Sequence, residues 1–438
     1  MTVLIERRRR AGLVVLLVAA LCAVMGLTGA PARAATHITL TEEDYFTGAG
    51  QVGALTAYNA QFEHAHPGVT IKREAVPFVD LDSTLLTQAG AHDLPNIIAT
   101  DNPFVAAMQA TGQIVPLSKF KGFSVKGYYP AVVDEGKIGK SYYSLPVAGE
   151  NSIALIYNIA DFKAAGITSP PKTWAQLEAD AKALTTKGGA GNGGVSGFGI
   201  TCDNGEDATW QWEPFFWGDG GKFTFSNIGG TPGQQALTLY QTLLAPGGGG
   251  YDEGCSTYAQ TPGETDDFIA GKLAMMLNGP WNFPLFNGNT PAENYGQYFG
   301  VAPIPTESAS QKAVVPLGGE DWQISKSGGT AAEKLAWEYV EGTQTPSEEL
   351  NLANQFGYLP ARISVAKEFV KAAGPEWSVL ATQTLYAHPR TYGLGTKYNT
   401  ISTAVWDAIS AVSANPTSSE VTSALSTAQS AITAALGK

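Results

Sequence analysis

Residues 96–104 read NIIATDNPF, and this stretch decides the fold class. Asn96 to Thr100 form a short apolar run, which is typical of a strand buried on both faces. Asp101-Asn102-Pro103 follow at once, and a proline here favours the first turn of a helix. A buried strand that leads directly into a helix is the repeating unit of a helix-covered parallel sheet.

The residues before this junction repeat the same strand-and-helix unit. The segment HITLT, residues 37–41, alternates as a strand does, and residues 52–64 carry apolar side chains at helical spacing. Pro67-Gly68 ends that helix, VTIKREAV at 69–76 predicts a second strand, and residues 81–89 predict a second helix. This order predicts a parallel sheet covered by helices, so the fold class is α/β.

Ligands of such sheets bind beyond the carboxyl ends of the strands. The loops expected there are TEEDYFTGAG, residues 41–50, and TDNPF, residues 100–104, and both are rich in acidic and aromatic side chains. The candidate ligand contacts in these loops are Glu43, Asp44, Tyr45, Asp101 and Asn102. Asp101 has a simple alternative role, because an aspartate before a helix commonly caps it.

A second α/β unit is predicted after the segment YYSLPVAGENSIALIYN, residues 142–158. Thr173-Trp174-Ala175-Gln176 has the sequence of a capping box and predicts a helix to about Thr186. The chain from about residue 330 is predicted to be largely helical. Further strands are expected at 198–201, 272–277, 300–305 and 314–325.

The size and charge of the chain limit its class. Its 438 residues exceed what one hydrophobic core usually serves, so two domains are expected. The formal net charge of −12 argues against nucleic acid as a partner, because phosphate binding needs clustered Lys and Arg.

Residues 1–34 have the pattern of a secretory signal peptide. Arg7 to Arg10 form the charged start, residues 11–30 are apolar, and Ala32-Arg33-Ala34 is a small-residue cleavage motif. Cleavage near Ala34 is expected to leave an extracytoplasmic, secreted protein associated with the cell surface. It would remove five Arg and one Glu, which changes the net charge from −12 to −16. The alternatives are a retained membrane anchor and a lipid on Cys22.

The cysteines and histidines give a limited prediction. Cys202 and Cys255 remain after cleavage, and export makes a disulfide between them the expected state, with two buried free thiols as the alternative. The five histidines are scattered, so no metal site is predicted. The sequence contains no phosphate-binding loop or dinucleotide motif, so no cofactor is predicted.

Six further motifs occur in one order along the chain. They are YSLPVAGENSIALIYN (143–158), PPKTWAQL (170–177), FIAGKLAMMLNGPW (268–281), PLGGEDWQIS (316–325), AAEKLAWEYVEG (331–342) and GYLPAR (357–362). Together they resemble the extracellular solute-binding proteins of bacterial ABC sugar importers, in particular the maltose-binding-protein-like group. The resemblance covers nearly the whole mature chain, and the order of the six motifs makes it specific.

The resemblance implies a two-lobe periplasmic-binding-protein-like fold of type II, with a ligand cleft between the lobes and hinge crossings. Residues 35–147 plus 319–358 are expected in the N-terminal lobe, and 148–318 plus 359–438 in the C-terminal lobe. The crossings are expected near Pro146, Leu317 and Leu359. Ligand binding is expected to close the lobes of a monomer, and a membrane permease would recognise the closed form.

MMLNGPWNF, residues 275–283, places Trp281 on a turn after a strand. A sugar ring has an apolar face and a rim of hydroxyls, so an aromatic plane with carboxylates or amides at the rim holds it well. The resemblance makes Trp281 the main stacking residue. Packing inside the lobe is the alternative.

GEDATWQWEPFFWGDGG, residues 205–221, is a second aromatic segment. The resemblance places a stacking aromatic at Trp210, whereas Phe215, Phe216 and Trp217 are expected in the core. Glu206 and Asp207 are expected to accept hydrogen bonds from sugar hydroxyls, with a solvated acidic loop as the alternative.

The remaining candidates follow from the resemblance. Tyr398 holds the place of the family's last stacking aromatic, where many members have Trp, and Arg390 lies on the loop before it. Gly318-Gly319 allows close backbone approach at a crossing. Trp322 is a candidate contact or a plug of the lobe interface. The hinge-facing candidates are Glu150, Asn151, Glu320, Asp321 and Trp322.

The predicted function is high-affinity binding of a sugar outside the cell, with an oligosaccharide expected, and its delivery to an ABC transporter permease without catalysis. One alternative is a secreted glycoside hydrolase, which needs two cleft carboxylates such as Asp101 and Glu320. Another is a receptor of the same fold for a non-sugar solute such as a polyamine, a peptide or a metal chelate.

Overall fold

The computed structural model of the protein describes residues 37–202, 205–250, 263–283, 285–286, 298–391 and 393–437, the side chains of Val79 and Pro375 excepted. The expected signal peptide and Cys255 lie outside the described residues, and both remain predictions.

The described residues form short strands and many helices. The strands are β1 Ile38–Asp44, β2 Val69–Ala75, β3 Ile97–Asp101, β4 Lys137–Ile138, β5 Ser141–Tyr142, β6 Leu145–Pro146, β7 Ala154–Asn158, β8 Met275–Asn278, β9 Phe299–Ala302 and β10 Glu320–Ile324. The α-helices are α1 Ala49–Ala65, α2 Phe78–Ala91, α3 Val105–Ala110, α4 Pro130–Glu135, α5 Ile159–Ala164, α6 Trp174–Leu184, α7 Glu206–Gly218, α8 Thr231–Leu244, α9 Glu264–Ile269, α10 Gly329–Thr343, α11 Pro346–Phe356, α12 Ile363–Ala373, α13 Pro375–Thr384, α14 Tyr398–Ala414 and α15 Ser418–Leu436.

The first lobe is built on a five-stranded sheet in the order β2-β1-β3-β10-β6. β1 pairs in parallel with β2 and β3, as the strand-and-helix order predicts. β10 is antiparallel to β3 and β6, and its Glu320 lies opposite Asp101 of β3. One edge of this sheet therefore carries Asp101, Glu320 and the residue after β1, Tyr45.

β1 is longer than the sequence predicts. The strand continues to Asp44, so Glu42, Glu43 and Asp44 are buried in it instead of forming an exposed loop. β1 is a central strand, and the ladder with β2 continues through its last residue, where Asp44 lies opposite Ala75. The paired backbone holds these acidic residues in the sheet.

The second lobe has a three-stranded antiparallel sheet in the order β8-β7-β9. Its core contains the segment rich in aromatics, and Trp212, Phe215, Phe216 and Trp217 are all buried there, as expected. The capping box also forms, since Thr173 accepts from the Gln176 amide at 3.3 Å and the Gln176 side chain accepts from the Thr173 amide at 3.2 Å.

The strand expected at 198–201 does not form. Ser196 and Phe198 make only isolated bridges, to Leu273 and Gly250. A Cβ at Gly197 would lie 1.8 Å from the Ala181 carbonyl oxygen, so this glycine-rich segment packs its backbone against α6 instead of joining a sheet.

The chain crosses between the lobes in segments that lie side by side. The Glu150 amide donates to the Leu359 carbonyl at 2.8 Å, and the Asn151 amide donates to the Gly318 carbonyl at 3.0 Å. Gly149 has a φ of +141°, and a Cβ there would lie 2.3 Å from the Leu359 carbonyl oxygen, so only glycine fits. The exact lobe boundaries stay a prediction.

Among the residues that the structure describes, no helix has both the length and the hydrophobicity needed to cross a bilayer.

Candidate functional site

A cavity of about 220 Å³ lies between the two lobes, where the sheet edges meet. Its first-lobe wall comes from the ends of β1 and β3 and the start of β10, which is the edge where the sequence predicts ligand contacts. The lining residues are Tyr45, Gln51, Phe78, Asp101, Asn151, Glu206, Asp207, Trp210, Trp281, Gly318, Gly319, Glu320, Tyr358 and Arg390.

Two indoles form the apolar wall of the second lobe. Trp210 lies on α7, and Trp281 lies on the short 3₁₀ turn Pro280–Asn282 that follows β8. Their ring centroids are 5.5 Å apart and their planes differ by 21°, so they stack on each other. Rings already in contact leave no room for a sugar between them. A ligand can pack only against the parts of the two rings that the pair leaves uncovered, here called the Trp210–Trp281 surface. The Arg390 guanidinium lies 5.5 Å from the centroid of the Trp210 ring.

Tyr45 and Phe78 form an aromatic pair on the first lobe. Their ring centroids are 4.9 Å apart, with the rings edge to face. The Tyr45 hydroxyl donates a hydrogen bond to Oε1 of Glu320. Aromatic rings and carboxylates therefore alternate on this wall.

Arg390 joins carboxylates from both lobes. Its Nη2 is 2.6 Å from Asp101 Oδ1, and its Nη1 is 2.9 Å from Glu206 Oε1. Its Nε also donates to the Leu317 carbonyl at 3.0 Å, at a crossing. Only 3 % of Arg390 is exposed, so this ion triad is largely shielded from solvent.

Glu206 is fixed by its second-lobe neighbours as well as by Arg390. It is the first residue of α7, where the helix dipole favours a negative charge. Its Oε1 accepts from the Tyr398 hydroxyl and its Oε2 from the Ser402 hydroxyl, each at 2.5 Å. Burial raises the pKa of Glu206, and the Arg390 charge opposes that rise.

Among the buried polar groups at the cavity that have no hydrogen-bond partner within the described residues are one donor and one acceptor. They are Nε1 of Trp210 and Oδ1 of Asn151. The two residues are 8 % and 6 % exposed. A buried polar group without a hydrogen bond costs about 1–3 kcal/mol, so a donor and an acceptor here indicate a bound molecule with hydroxyls or amides.

The family model for the bacterial extracellular solute-binding protein matches residues 57–378, which is most of the chain.

This chain belongs to the bacterial extracellular solute-binding proteins.

A binding protein of Brucella abortus (strain 2308) is 27% identical over 319 residues, which cover 70% of this solute-binding protein and 72% of the relative.

Solved structures share the fold of this solute-binding protein. The GacH receptor of Streptomyces glaucescens, solved unliganded and with acarbose, is 20% identical with a TM-score of 0.78, and the match covers 91% of this chain and 98% of that one. The cyclic alpha-maltosyl-1,6-maltose binding protein of Arthrobacter globiformis is 24% identical with a TM-score of 0.72, over 91% and 99% of the two chains. The two-lobe fold of this solute-binding protein is therefore confirmed.

The cavity brings together about half of the residues that the sequence selects for this solute-binding protein. Each is a candidate whose contact with a ligand stays a prediction. They are Trp281, Trp210, Asp101, Asn151, Glu206, Asp207, Glu320 and Arg390. Asp101 also caps the turn after β3, since its Oδ1 accepts from the Asn102 amide at 2.9 Å, so both roles weighed for it fall on one carboxylate.

The prediction that Tyr398 stacks on a sugar is wrong. Tyr398 is 0 % exposed, and its hydroxyl bonds to Glu206 and Glu213 inside the second lobe. It is the first residue of α14, and the helix turns its ring into the core. Its role is to hold Glu206 in place.

Asp44 and Glu43 do not reach the cleft, contrary to expectation. Asp44 is 0 % exposed and bonds to Arg73, with Nε–Oδ2 at 2.6 Å. Glu43 is buried and accepts from Gln88 at 2.9 Å. Because β1 continues through these residues, Glu43 bonds to Gln88 of α2 and Asp44 bonds to Arg73 of β2 instead of reaching the cavity.

Four candidates at the crossings are buried beside the cavity and do not line it. Asp321 accepts from the Ser144 hydroxyl at 2.8 Å, and Trp322 is 0 % exposed in the first-lobe core, so a direct ligand contact is wrong for both. Asn102 and Glu150 are also buried and absent from the lining, although each keeps unpaired oxygens within the described part of the chain.

Several residues at the cavity were not selected from the sequence. Gln51, Phe78 and Tyr358 line it, and Tyr358 lies in the GYLPAR motif. Phe78 is the first residue of α2, and the helix predicted for 81–89 starts too late to include it. The apolar spacing of Phe78, Leu81 and Leu85 is the signal that would have extended the helix.

Cys202 is disulfide-bonded. Its expected partner Cys255 lies outside the described residues, so the pairing stays a prediction.

Proposed function

We propose that this solute-binding protein binds a sugar, with an oligosaccharide as the expected ligand, in the cleft between its lobes. It acts outside the cell as a monomer and delivers the sugar to the permease subunits of an ABC importer. The observation that carries the proposal is the Trp210–Trp281 surface with unpaired polar groups at its rim.

The contacts at this surface match the chemistry of a sugar ring. The apolar C–H face of a pyranose packs on an indole plane, while its hydroxyls donate and accept at the edge. Trp210 Nε1 offers a donor and Asn151 Oδ1 offers an acceptor, and neither is used by the described residues. One hydroxyl-bearing ring would satisfy both groups.

The names of the structural neighbours point to the same ligand class. The Streptomyces receptor was solved with acarbose, and the Arthrobacter protein is named for a cyclic maltosyl-maltose. Both share the two-lobe fold with this chain, which supports a saccharide as its ligand.

The size of the cavity supports movement of the lobes. Its volume of about 220 Å³ is below the roughly 300–1,000 Å³ of common ligand pockets, so an oligosaccharide would need a wider cleft to enter. The crossings, with glycines at 149 and 319 in the positive-φ region, would allow a hinge motion. Ligand contacts with both lobes would then stabilise the closed form.

The ion triad argues against hydrolysis. A glycoside hydrolase needs one carboxyl group as an acid and a second as a base or nucleophile. Asp101 and Glu206 share the Arg390 guanidinium, so neither is free for either role. The pair considered from the sequence, Asp101 and Glu320, therefore lacks one free carboxyl group.

A thermal-shift screen of the mature protein against mono- and oligosaccharides tests the proposal. A sugar that binds only the folded state raises Tm, by an amount that grows with its concentration relative to Kd. Mass spectrometry of the mixture should then show the sugar unchanged after overnight incubation. A peptide or polyamine that raises Tm where no sugar does would contradict the proposal, and so would cleavage of the sugar.

A further inference from the structure

The cleft holds more negative than positive charge. Among the lining residues, all of which the structure describes, Arg390 is the single cation. The lining carboxylates are Asp101, Glu206, Asp207 and Glu320. When all of these groups are ionised, four negative charges face one positive charge, so the lining carries a net charge of −3.

Arg390 cannot balance the rest of this charge, because its partners are already fixed. Its guanidinium bonds to Asp101 through two nitrogens and to Glu206 through one, and its Nε bonds to a backbone carbonyl. Glu320 accepts from the neutral Tyr45 hydroxyl instead of from a cation.

Asp82 is a fifth carboxylate, which does not line the cavity but lies on the helix that supplies Phe78 to this wall. It lies one helical turn after Phe78 on α2, so the two side chains share a face of the helix, and Phe78 lines the cavity. Burial raises the pKa of Asp82 to about 7, and the charges of Asp101 and Glu206 add to the rise. The negative charges of Asp101 and Glu206 therefore repel a negative charge on Asp82.

Aromatic rings surround these carboxylates. Tyr45 and Phe78 pack edge to face on the first-lobe wall, where the Tyr45 hydroxyl bonds to Glu320. Trp281 lies on the opposite lobe. A cation over an aromatic face is stabilised by about 0.5–1 kcal/mol when exposed and by about 2 kcal/mol or more when desolvated. Carboxylates together with ring faces suit a protonated amine better than they suit a neutral hydroxyl.

Unpartnered polar groups in the same cavity are an independent indication of a ligand. Trp210 Nε1 and Asn151 Oδ1 are at least nine-tenths buried, line the same cavity and have no partner within the described residues. A hydroxyl of the ligand would form the missing hydrogen bonds of these groups. A positive charge on the ligand would interact favourably with the ionised carboxylates.

We propose that the sugar bound in this cleft carries a protonated amino group, which sits near Glu320 and Asp82 while a ring of the sugar stacks on the Trp210–Trp281 surface. This inference rests on the proposed function and narrows its ligand class to cationic saccharides. Anionic sugars such as uronates are excluded, because their charge would meet surplus carboxylates in a partly desolvated cleft.

Isothermal titration calorimetry of the mature wild-type protein tests the inference with matched ligands at pH 7.5, which is above the raised pKa of about 7 of both Asp82 and Glu320. Maltose and cellobiose are each compared with an analogue that has one hydroxyl replaced by an amino group, and with the uronic acid analogue. The amino form is expected to bind at least about tenfold tighter than the neutral sugar, and the uronate at least about tenfold weaker. The amino preference should shrink between 20 mM and 200 mM NaCl, at about the ionic strengths where screening sets in.

The variant Asp82→Asn measures the carboxylate contribution as a ratio of two affinities. The affinity for the amino sugar divided by the affinity for the matched neutral sugar should fall by about threefold or more. Asp80→Asn, on the exposed first turn of the same helix, is the matched control and should keep the wild-type ratio. The salt dependence of the wild type gives the same answer if the variant does not fold.

The outcomes separate the two proposals. A neutral sugar that binds as tightly as its amino form overturns this inference and leaves sugar binding intact. If no sugar binds in any form, the proposed function fails as well. Spermidine binding more tightly than every sugar would also overturn the inference, since the saccharide part would then be wrong.

Discussion

The guanidinium of Arg390 forms a bidentate ion pair with Asp101, with Nη2–Oδ1 at 2.6 Å and Nη1–Oδ2 at 3.1 Å. Asp101 ends a strand of the first lobe, and the third member of the triad, Glu206, begins a helix of the second lobe. Arg390 also bonds to the Leu317 carbonyl at a crossing, so the triad joins charged groups of the two lobes inside the cleft.

Arg390→Met should destabilise the protein strongly. The substitution leaves two cleft carboxylates without their cation, and breaking a buried ion pair in this way typically costs about 3–5 kcal/mol. Urea unfolding monitored by circular dichroism measures the loss. Lys119→Met, which removes a solvent-exposed ion pair with Glu333, is the control and should cost no more than about 1 kcal/mol. Equal losses for the two variants would contradict a structural role of the triad.

The free energy of unfolding should fall as pH rises from about 4.5 to about 7. Burial raises the pKa of Glu42 from 4.5 to about 7, and the nearby Asp44 adds to the rise. The folded state therefore holds a proton that the unfolded state has released, so stability is greatest below the unfolded pKa and is lost as pH passes through the folded pKa. The same direction applies to Glu135, Glu320 and Asp321.

Glu42→Gln isolates one part of this pH dependence. The amide keeps an acceptor for Asn59, whose Nδ2 lies 2.8 Å from Glu42 Oε2, but it does not titrate. Relative to wild type, the variant should gain about 1–3 kcal/mol between pH 5 and pH 8. Urea unfolding at pH 5, 6, 7 and 8 gives the two curves. Parallel curves would show that Glu42 is not protonated in the folded state.

Tyr398→Phe separates a positioning role from a stacking role. The change removes the hydroxyl that bonds to Glu206 at 2.5 Å and leaves a buried ring of the same shape. Stability should fall by about 1.5–3 kcal/mol, since hydrogen bonds to charged groups lie in that range, while sugar affinity changes less than on loss of an indole. Thermal unfolding and calorimetric titration of the same sample measure both. Full stability together with lost binding would contradict the positioning role and would show that the hydroxyl acts on the ligand.

Reduction of the disulfide should destabilise the second lobe. Peptide mapping without reductant is expected to recover a cross-linked peptide pair that contains Cys202 and Cys255. In the chain-entropy model, opening a loop of this length costs about 4 kcal/mol, so dithiothreitol should lower Tm by several degrees. A cross-link from Cys202 to any other thiol would contradict the predicted pairing.

The parallel part of the first sheet follows from local sequence pattern. Apolar runs that alternate with helical periodicity specify β1, β2 and β3 in order, and the structure confirms their parallel pairing. The place of β10 beside β3 does not follow from such a pattern, because its partner lies more than 200 residues earlier in the chain. That pairing depends on the whole fold.

The candidate site, like the sheet, could be predicted only in part from the sequence. The family resemblance selects Trp281 and Trp210, and both line the cavity. The sequence also selects Asp101, Glu206 and Arg390 singly, yet it does not show that one guanidinium joins the two carboxylates. Tyr398 fails for a related reason, since an aromatic at the start of a helix has no local feature that tells burial from exposure.

Calorimetric titration of Trp281→Ala with the best sugar from the thermal-shift screen tests the central claim most directly. Loss of a stacking surface should raise Kd at least about 30-fold, equivalent to about 2 kcal/mol, because central aromatics dominate binding energy. Tyr386→Ala removes an aromatic on the second lobe that is 55 % exposed and does not line the cavity, and it should leave Kd unchanged. If Trp281→Ala binds the sugar as tightly as wild type does, the ligand does not lie on the Trp210–Trp281 surface and the account is wrong.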